Sequence, residues 1–103
     1  MKITETSLPG LLIIEPRVFD DSRGYFFESY QEERYKEGGI NTSFIQDNES
    51  KSVRGVVRGL HYQLAPYAQA KLVRVVQGSV YDVAVDLRKG SPSFGKWFGL
   101  ELD

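Results

Sequence analysis

A chain of 103 residues with 13 Lys and Arg, 14 Asp and Glu and a formal net charge of -1 is one domain at most, and its near-neutral balance argues against a general nucleic-acid binder. The absence of cysteine removes disulfides and thiolate metal sites, and no apolar run is long enough to cross a bilayer. The first five residues lack the pattern of a signal peptide, so a cytoplasmic location is the default expectation. The 41% hydrophobic fraction is ordinary for a globular protein, but six Tyr, six Phe and one Trp are many for this length. Some of these rings are expected to line a pocket or an interface, against the simpler reading that they are all core.

In chain order, residues 11–18 read as a strand that Pro16 ends or confines to an edge. Residues 20–24, Asp-Asp-Ser-Arg-Gly, are a turn, and 25–30 a second strand with Phe26, Glu28 and Tyr30 on one face. Residues 31–37 are charged and helix-compatible, and Gly38 and Gly39 stop them. Further strands are expected at 44–50, 56–63 and 70–77. A turn at Gly78 and Ser79 should send 80–87 back, and after a loop at 88–93 the alternation resumes over 96–103. Many short strands with turn signals between them mean an all-β sandwich or barrel.

The chemistry concentrates in Arg58-Gly59-Leu60-His61-Tyr62-Gln63, which holds the only histidine, and in Lys71 ten residues later. Alternation puts His61 on one face with Gly59 and Gln63, and Gly59 leaves room for a close approach. No Asp or Glu occurs from residue 50 to 81, while Lys51, Arg54, Arg58, Lys71 and Arg74 do. Such a cationic stretch favours an anionic ligand and stabilises negative charge developing nearby. A lone strand histidine is usually structural and a basic run is usually a solvated face. The combination of His, Lys, flanking Arg and adjacent Gly is what favours a site.

Four blocks carry a closer resemblance. They are residues 21–28 (Asp-Ser-Arg-Gly-Tyr-Phe-Phe-Glu), 46–50 (Gln-Asp-Asn-Glu-Ser), 58–63, and the run from Gln69-Ala70-Lys71-Leu72-Val73 through 78–88 to Ser91-Pro92-Ser93-Phe94-Gly95. In order and spacing they resemble the dTDP-4-dehydrorhamnose 3,5-epimerase family of sugar-nucleotide epimerases. The resemblance implies a cupin-type jelly roll, here the incomplete amino-terminal part of a single domain, because family members are considerably longer. It also implies that the chain binds a dTDP-sugar and forms a homodimer, with the segment from Arg23 to Glu28 exchanged into a neighbouring subunit's site. The residues that match the family's substrate contacts are Arg23, Phe26, Glu28, Gln46, Asn48 and Arg58. By residue type alone, Phe26 reads as core and Glu28 as surface.

Many cupins bind a metal through an H-x-H pair, a carboxylate and a further histidine. Here the matching positions read His61, Gln63 and Lys71. Glutamine is a poor ligand and a charged lysine repels a cation, so no metal and no cofactor are expected. The expected chemistry is proton abstraction beside a ketone. It needs a base of near-neutral pKa, for which imidazole is suited, and a cation at the developing enolate oxygen. His61 fits the first role and Lys71 the second. The resemblance implies that the acid is a tyrosine further along the family's length, and Tyr62, Tyr67 and Tyr81 do not match its position. Asp82 is either a partial substitute for the carboxylate that orients the histidine, or a partner behind it, or a solvated side chain. The expected function is 3,5-epimerisation of dTDP-4-dehydro-6-deoxy-D-glucose in dTDP-L-rhamnose biosynthesis. The rivals are a one-carbon epimerase or isomerase on another dTDP-ketosugar and a non-catalytic dTDP-sugar-binding fragment.

Overall fold

The computed structural model describes residues 1–103 and is built from six strands and one short helix: β1 Lys2–Glu5, β2 Leu12–Glu15, β3 Val18–Asp21, β4 Gly24–Phe27, α1 Glu32–Glu37, β5 Val80–Val85 and β6 Trp97–Leu102. The strands pair as three antiparallel hairpins, β1 with β2, β3 with β4 and β5 with β6. The all-β expectation holds, as do the turn before Gly24, the helix after residue 31 and the strands near 80 and 97. Pro16 does interrupt the first expected strand: it lies between β2 and β3 and lacks the amide a ladder needs. β1 pairs with β2 in the register Ile3 to Ile14, a partner that the sequence pattern did not reveal.

The stretch from 41 to 79 differs from expectation. It contains turns, closed by Val56 N–H to Val53 O at 3.3 Å and Tyr67 N–H to Leu64 O at 2.8 Å, but no strand. The apolar alternation at 44–50, 56–63 and 70–77 marks segments suited to a sheet, yet no other segment of these 103 residues runs beside them to complete a ladder. β5 pairs with β6, Val83 opposite Gly99, and not with 70–77.

Few side chains are enclosed. Only Leu8, Tyr35, Asp86 and Ser93 are buried, and the accessible surface is 9288 Å². A compact monomer of this mass would expose roughly 5,900 Å². The radius of gyration, 15.4 Å, likewise exceeds the roughly 13 Å of a compact chain this long. The apolar faces of the hairpins are therefore one side of a core whose other side these residues do not supply.

Two local knots hold the hairpins. In the first, Thr6 Oγ1 donates to Leu11 O at 2.8 Å and accepts from Leu8 N–H at 3.2 Å, folding the β1–β2 loop so that Leu8 is buried. In the second, Asp86 follows β5, and its carboxylate accepts from Arg88 N–H, Nε and Nη2, each at 3.0 Å. It also accepts from Ser91 Oγ at 2.6 Å and Ser93 Oγ at 2.5 Å. The backbone closes the same loop through Gly95 N–H to Asp86 O at 2.7 Å and Asp86 N–H to Lys96 O at 2.9 Å. The Arg88 guanidinium first, and then the two serine hydroxyls, hold the Asp86 carboxyl far below the usual carboxylate range.

A carboxyl whose folded pKa is depressed contributes stability that is fully present above its unfolded pKa, about 3.9, and is lost as pH falls below it. Asp86→Asn keeps the size but weakens these bonds. It should speed amide exchange at positions 86 and 95 by roughly tenfold at neutral pH. Lowering the pH of the parent chain below about 4 should begin to do the same. An unchanged exchange rate in the variant would mean that the backbone bonds hold this loop without the carboxylate.

Candidate functional site

His61, Tyr62, Gln63, Ala68, Gln69 and Lys71 line one hollow of about 310 Å³. The turn at residues 65–66 folds the two arms of the segment together, which places His61 and Lys71 on the same hollow. Gly59 has φ +115, a conformation that L side chains rarely adopt. A Cβ there would meet His61 Nδ1 at 3.6 Å, an ordinary van der Waals contact, so it is the backbone conformation and not lack of space that calls for glycine.

The basic side chains of residues 50–81 take part in no ion pair within the chain. The six ion pairs of the chain join Lys2 to Glu15, Arg23 to Asp21, Arg34 to Glu28, Lys36 to Glu32 and Glu33, and Arg88 to Asp86. None involves Lys51, Arg54, Arg58, Lys71 or Arg74. Arg58 is held by donating from Nε to Ser52 Oγ at 2.9 Å and from Nη2 to Lys51 O at 3.2 Å. Both acceptors are neutral, so its full positive charge remains available. Arg74 reaches the ring of Phe27 on β4, 6.0 Å from guanidinium carbon to centroid, and so ties this segment to the β3–β4 hairpin.

The other expected residues lie outside the hollow. Gln46 Nε2 donates to Asn48 Oδ1 at 3.2 Å, so this pair shares one side of an exposed segment, as alternation requires. Arg23, in the β3–β4 turn, makes a fork to Asp21, with Nη2 to Oδ2 at 2.7 Å and Nε to Oδ1 at 3.2 Å. That hydrogen bonding draws the Asp21 carboxyl below its ordinary pKa. Phe26 is 71% exposed and stands opposite Phe19 in the β3–β4 ladder. Glu28 follows β4 and accepts from Arg34 Nη1 at 2.8 Å. Asp82 lies on β5 opposite Leu100, exposed, and does not line the hollow.

Gln69 is the lining residue that sequence reasoning did not single out. It lies two residues before Lys71, as Gln63 lies two after His61, and that spacing was the available signal. Chemically, the hollow sets an imidazole and an ammonium beside neutral amide donors and acceptors. It suits a ligand that carries both a carbonyl and an anionic group.

A family model described as dTDP-4-dehydrorhamnose 3,5-epimerase matches residues 5–103. A curated dTDP-4-dehydrorhamnose 3,5-epimerase of Shigella flexneri is 57% identical over 103 residues, covering 99% of this chain and 57% of that protein. A crystal structure of the dTDP-6-deoxy-D-glucose-3,5-epimerase of Legionella pneumophila, in complex with dTDP-4-keto-L-rhamnose, superimposes with a TM-score of 0.93 at 52% identity, over 99% of this chain and 54% of that one. The structure of a 4-keto-6-deoxy sugar epimerase from the novobiocin biosynthetic gene cluster of Streptomyces spheroides superimposes with a TM-score of 0.92 at 44% identity, over 100% of this chain and 52% of that one. The chain thus spans little more than half the length of the relatives it matches. Its path, open though it is, is the cupin-type all-β path expected from the sequence.

The uncancelled charge predicts anion binding that salt weakens. Inorganic pyrophosphate should bind, with affinity falling steeply as ionic strength rises. Arg58→Ala should reduce it by roughly fivefold. Salt-independent binding measured by calorimetry, or an unaffected variant, would remove Arg58 and its neighbours from the anion site.

Proposed function

The chain belongs to the dTDP-4-dehydrorhamnose 3,5-epimerase family, and from that premise we propose that it carries the base, the cation and the nucleotide-binding side chains of a dTDP-4-dehydro-6-deoxy-D-glucose 3,5-epimerase in dTDP-L-rhamnose biosynthesis. The observation that supports this reading is the convergence of His61 and Lys71 on one hollow inside a stretch with no carboxylate.

In this reading the 4-keto sugar enters the hollow with its diphosphate against the cationic stretch. His61 removes the proton from a carbon next to the keto carbon, and the C–H electron pair moves onto the carbonyl oxygen. The Lys71 ammonium stabilises the enolate oxygen as its charge develops, which in a preorganised site is a large part of rate enhancement. An acid on the opposite face, which the family resemblance assigns to a tyrosine outside these 103 residues, gives its proton to the same carbon and so completes an inversion, and the sequence repeats at the second carbon. The chemistry requires no cofactor. Arg58, Gln46 and Asn48 serve the diphosphate and sugar hydroxyls.

Arg23, Phe26 and Glu28 complete the site from a second copy of the chain, in a homodimer with exchanged strands. Two features support this. The β3–β4 hairpin does not line its own hollow. It also leaves Phe19, Tyr25 and Phe26 between 51% and 71% exposed, more apolar surface than a two-stranded ribbon can leave in water and remain ordered. Phe26 then stacks on the base and Arg23 reaches the diphosphate. A nucleotide-sugar substrate supports a cytoplasmic location for this reading; no helix of the chain is long and apolar enough to cross a membrane.

The Streptomyces spheroides neighbour keeps a second reading in play, an epimerase acting on another dTDP-linked 4-keto-6-deoxy sugar. In deuterium oxide the first reading predicts incorporation at carbons 3 and 5, and the second predicts a different substrate or incorporation at one carbon. His61→Ala should lower exchange at both carbons by at least about a hundredfold. Lys71→Ala should lower turnover by roughly 10²–10³ while changing dTDP binding little, because its charge acts on the transition state. Undiminished exchange in the first variant would sink the base assignment, and equal losses of turnover and binding in the second would reduce Lys71 to a ligand contact.

A further inference from the structure

The ion pair between Arg34 and Glu28 is a second feature of the β3–β4 region, and the family's expected contacts do not include Arg34. Glu28 lies just past the end of β4, two residues beyond Phe26. Its Oε2 accepts from Arg34 Nη1 at 2.8 Å, while Oε1 has no hydrogen-bond partner within the chain. Arg34 therefore engages one carboxylate oxygen and leaves the other free to accept from a ligand.

The helix that carries Arg34 is anchored to the segment it acts on. α1 is only six residues long, too short to persist on propensity alone. Gln31 caps it by accepting from Arg34 N–H at 2.6 Å. Tyr35, one of the four buried residues, donates from its hydroxyl to Ser29 O at 3.0 Å. Its ring meets Tyr30 edge-on at 4.9 Å, and Tyr30 in turn meets Phe44 at 5.4 Å. Burial is the first cause of the raised Tyr35 pKa, which fits this packing. The Ser43 hydroxyl donates to Glu32 across the same helix. Residues 28–31 are thus clamped to α1 by one side chain, one cap and one aromatic cluster. The guanidinium is delivered to Glu28 from a fixed platform and not from a loose surface.

We propose that Arg34 is a positioning residue for nucleobase recognition: it holds the Glu28 carboxylate in place two residues from Phe26, so that the free oxygen accepts a hydrogen bond from an N–H of a base stacked on that ring. The inference rests on the reading of Phe26 and Glu28 as nucleotide contacts. If the hairpin serves a neighbouring copy, the Arg34–Glu28 pair serves that copy as one unit. The base class this favours is one with a ring N–H donor beside a carbonyl, as in thymine or uracil. An anionic acceptor disfavours a base that presents a lone pair there.

The test is a double-mutant cycle on dTDP binding and on steady-state kinetics with the dTDP-ketosugar. Arg34→Ala should weaken dTDP binding by roughly fivefold, the scale of one exposed charge-assisted contact, and raise KM with kcat unchanged. Glu28→Gln should weaken binding as well. Adding Arg34→Ala to Glu28→Gln should cost nothing more, and Arg34→Lys should recover most of the affinity. Equal losses from Arg34→Ala with and without Glu28 would show that Arg34 acts elsewhere, and would overturn the proposal while leaving Glu28 in the site. Undisturbed dTDP binding in Glu28→Gln would overturn it differently, by removing the nucleotide contact on which it rests. If Arg34→Ala unfolds α1, seen as exposure of Tyr35 by fluorescence, Arg34→Gln and Arg34→Lys carry the same cycle.

Discussion

Lys71 and His61 share a hollow within a stretch whose five basic side chains have no carboxylate at ion-pair distance, and the chemistry proposed for them depends on that uncancelled charge. A lysine already paired to a glutamate would have little field left for an enolate. An arginine already paired to an aspartate would bind a diphosphate only by giving up its partner. Here the exclusion of acids from residues 50–81 keeps both available, and Arg58 is oriented by a serine hydroxyl and a backbone carbonyl that take none of its charge. By resemblance, positions that hold a metal in many cupins carry Gln63 and Lys71 here, and the proposed site uses the lysine's own cation instead.

A second constraint is the openness of the chain. Three hairpins and a one-and-a-half-turn helix hold their own geometry through local bonds, yet only four residues are buried. Order is therefore concentrated in short-range devices: the Thr6 loop that buries Leu8, the Asp86 knot, and the clamp of Tyr35 on residues 28–31. These devices position the elements that matter to the site without a closed core. They fix the end of β4, where Glu28 lies, and the reversal between β5 and β6. The exposed faces of β3, β4 and the 41–79 stretch are apolar surface in search of cover, which is why a second copy of the chain belongs in the proposal for the site.

Much of this was legible in the residues themselves. Turn chemistry located the hairpin before Gly24 and the loop after residue 87, and the charged run stopped by two glycines located α1. Strand alternation does not describe the hollow: residues 56–63 and 70–77 form no strand, and Tyr62 lines it beside His61 and Gln63. Alternation could not say whether a strand finds a neighbour. The 44–50, 56–63 and 70–77 segments have the composition of strands but no ladder, because pairing is decided by what lies alongside and not by the segment. The pair of Glu28 with Arg34 was hidden for a related reason. Six residues apart, across a strand end and a helix start, they follow neither strand nor helix spacing. Asp21 and Arg23, by contrast, are two residues apart in a tight turn, and their pairing could have been read from that alone.

The central claim is that one ketosugar meets the imidazole and the ammonium together. Side-chain NMR of isotopically labelled protein, titrated with the dTDP-4-keto sugar in deuterium-free buffer, tests it most directly. The account predicts that the His61 ring and Lys71 Nζ resonances move together, following one binding curve. Movement of one resonance with the other unaffected at saturation would contradict it.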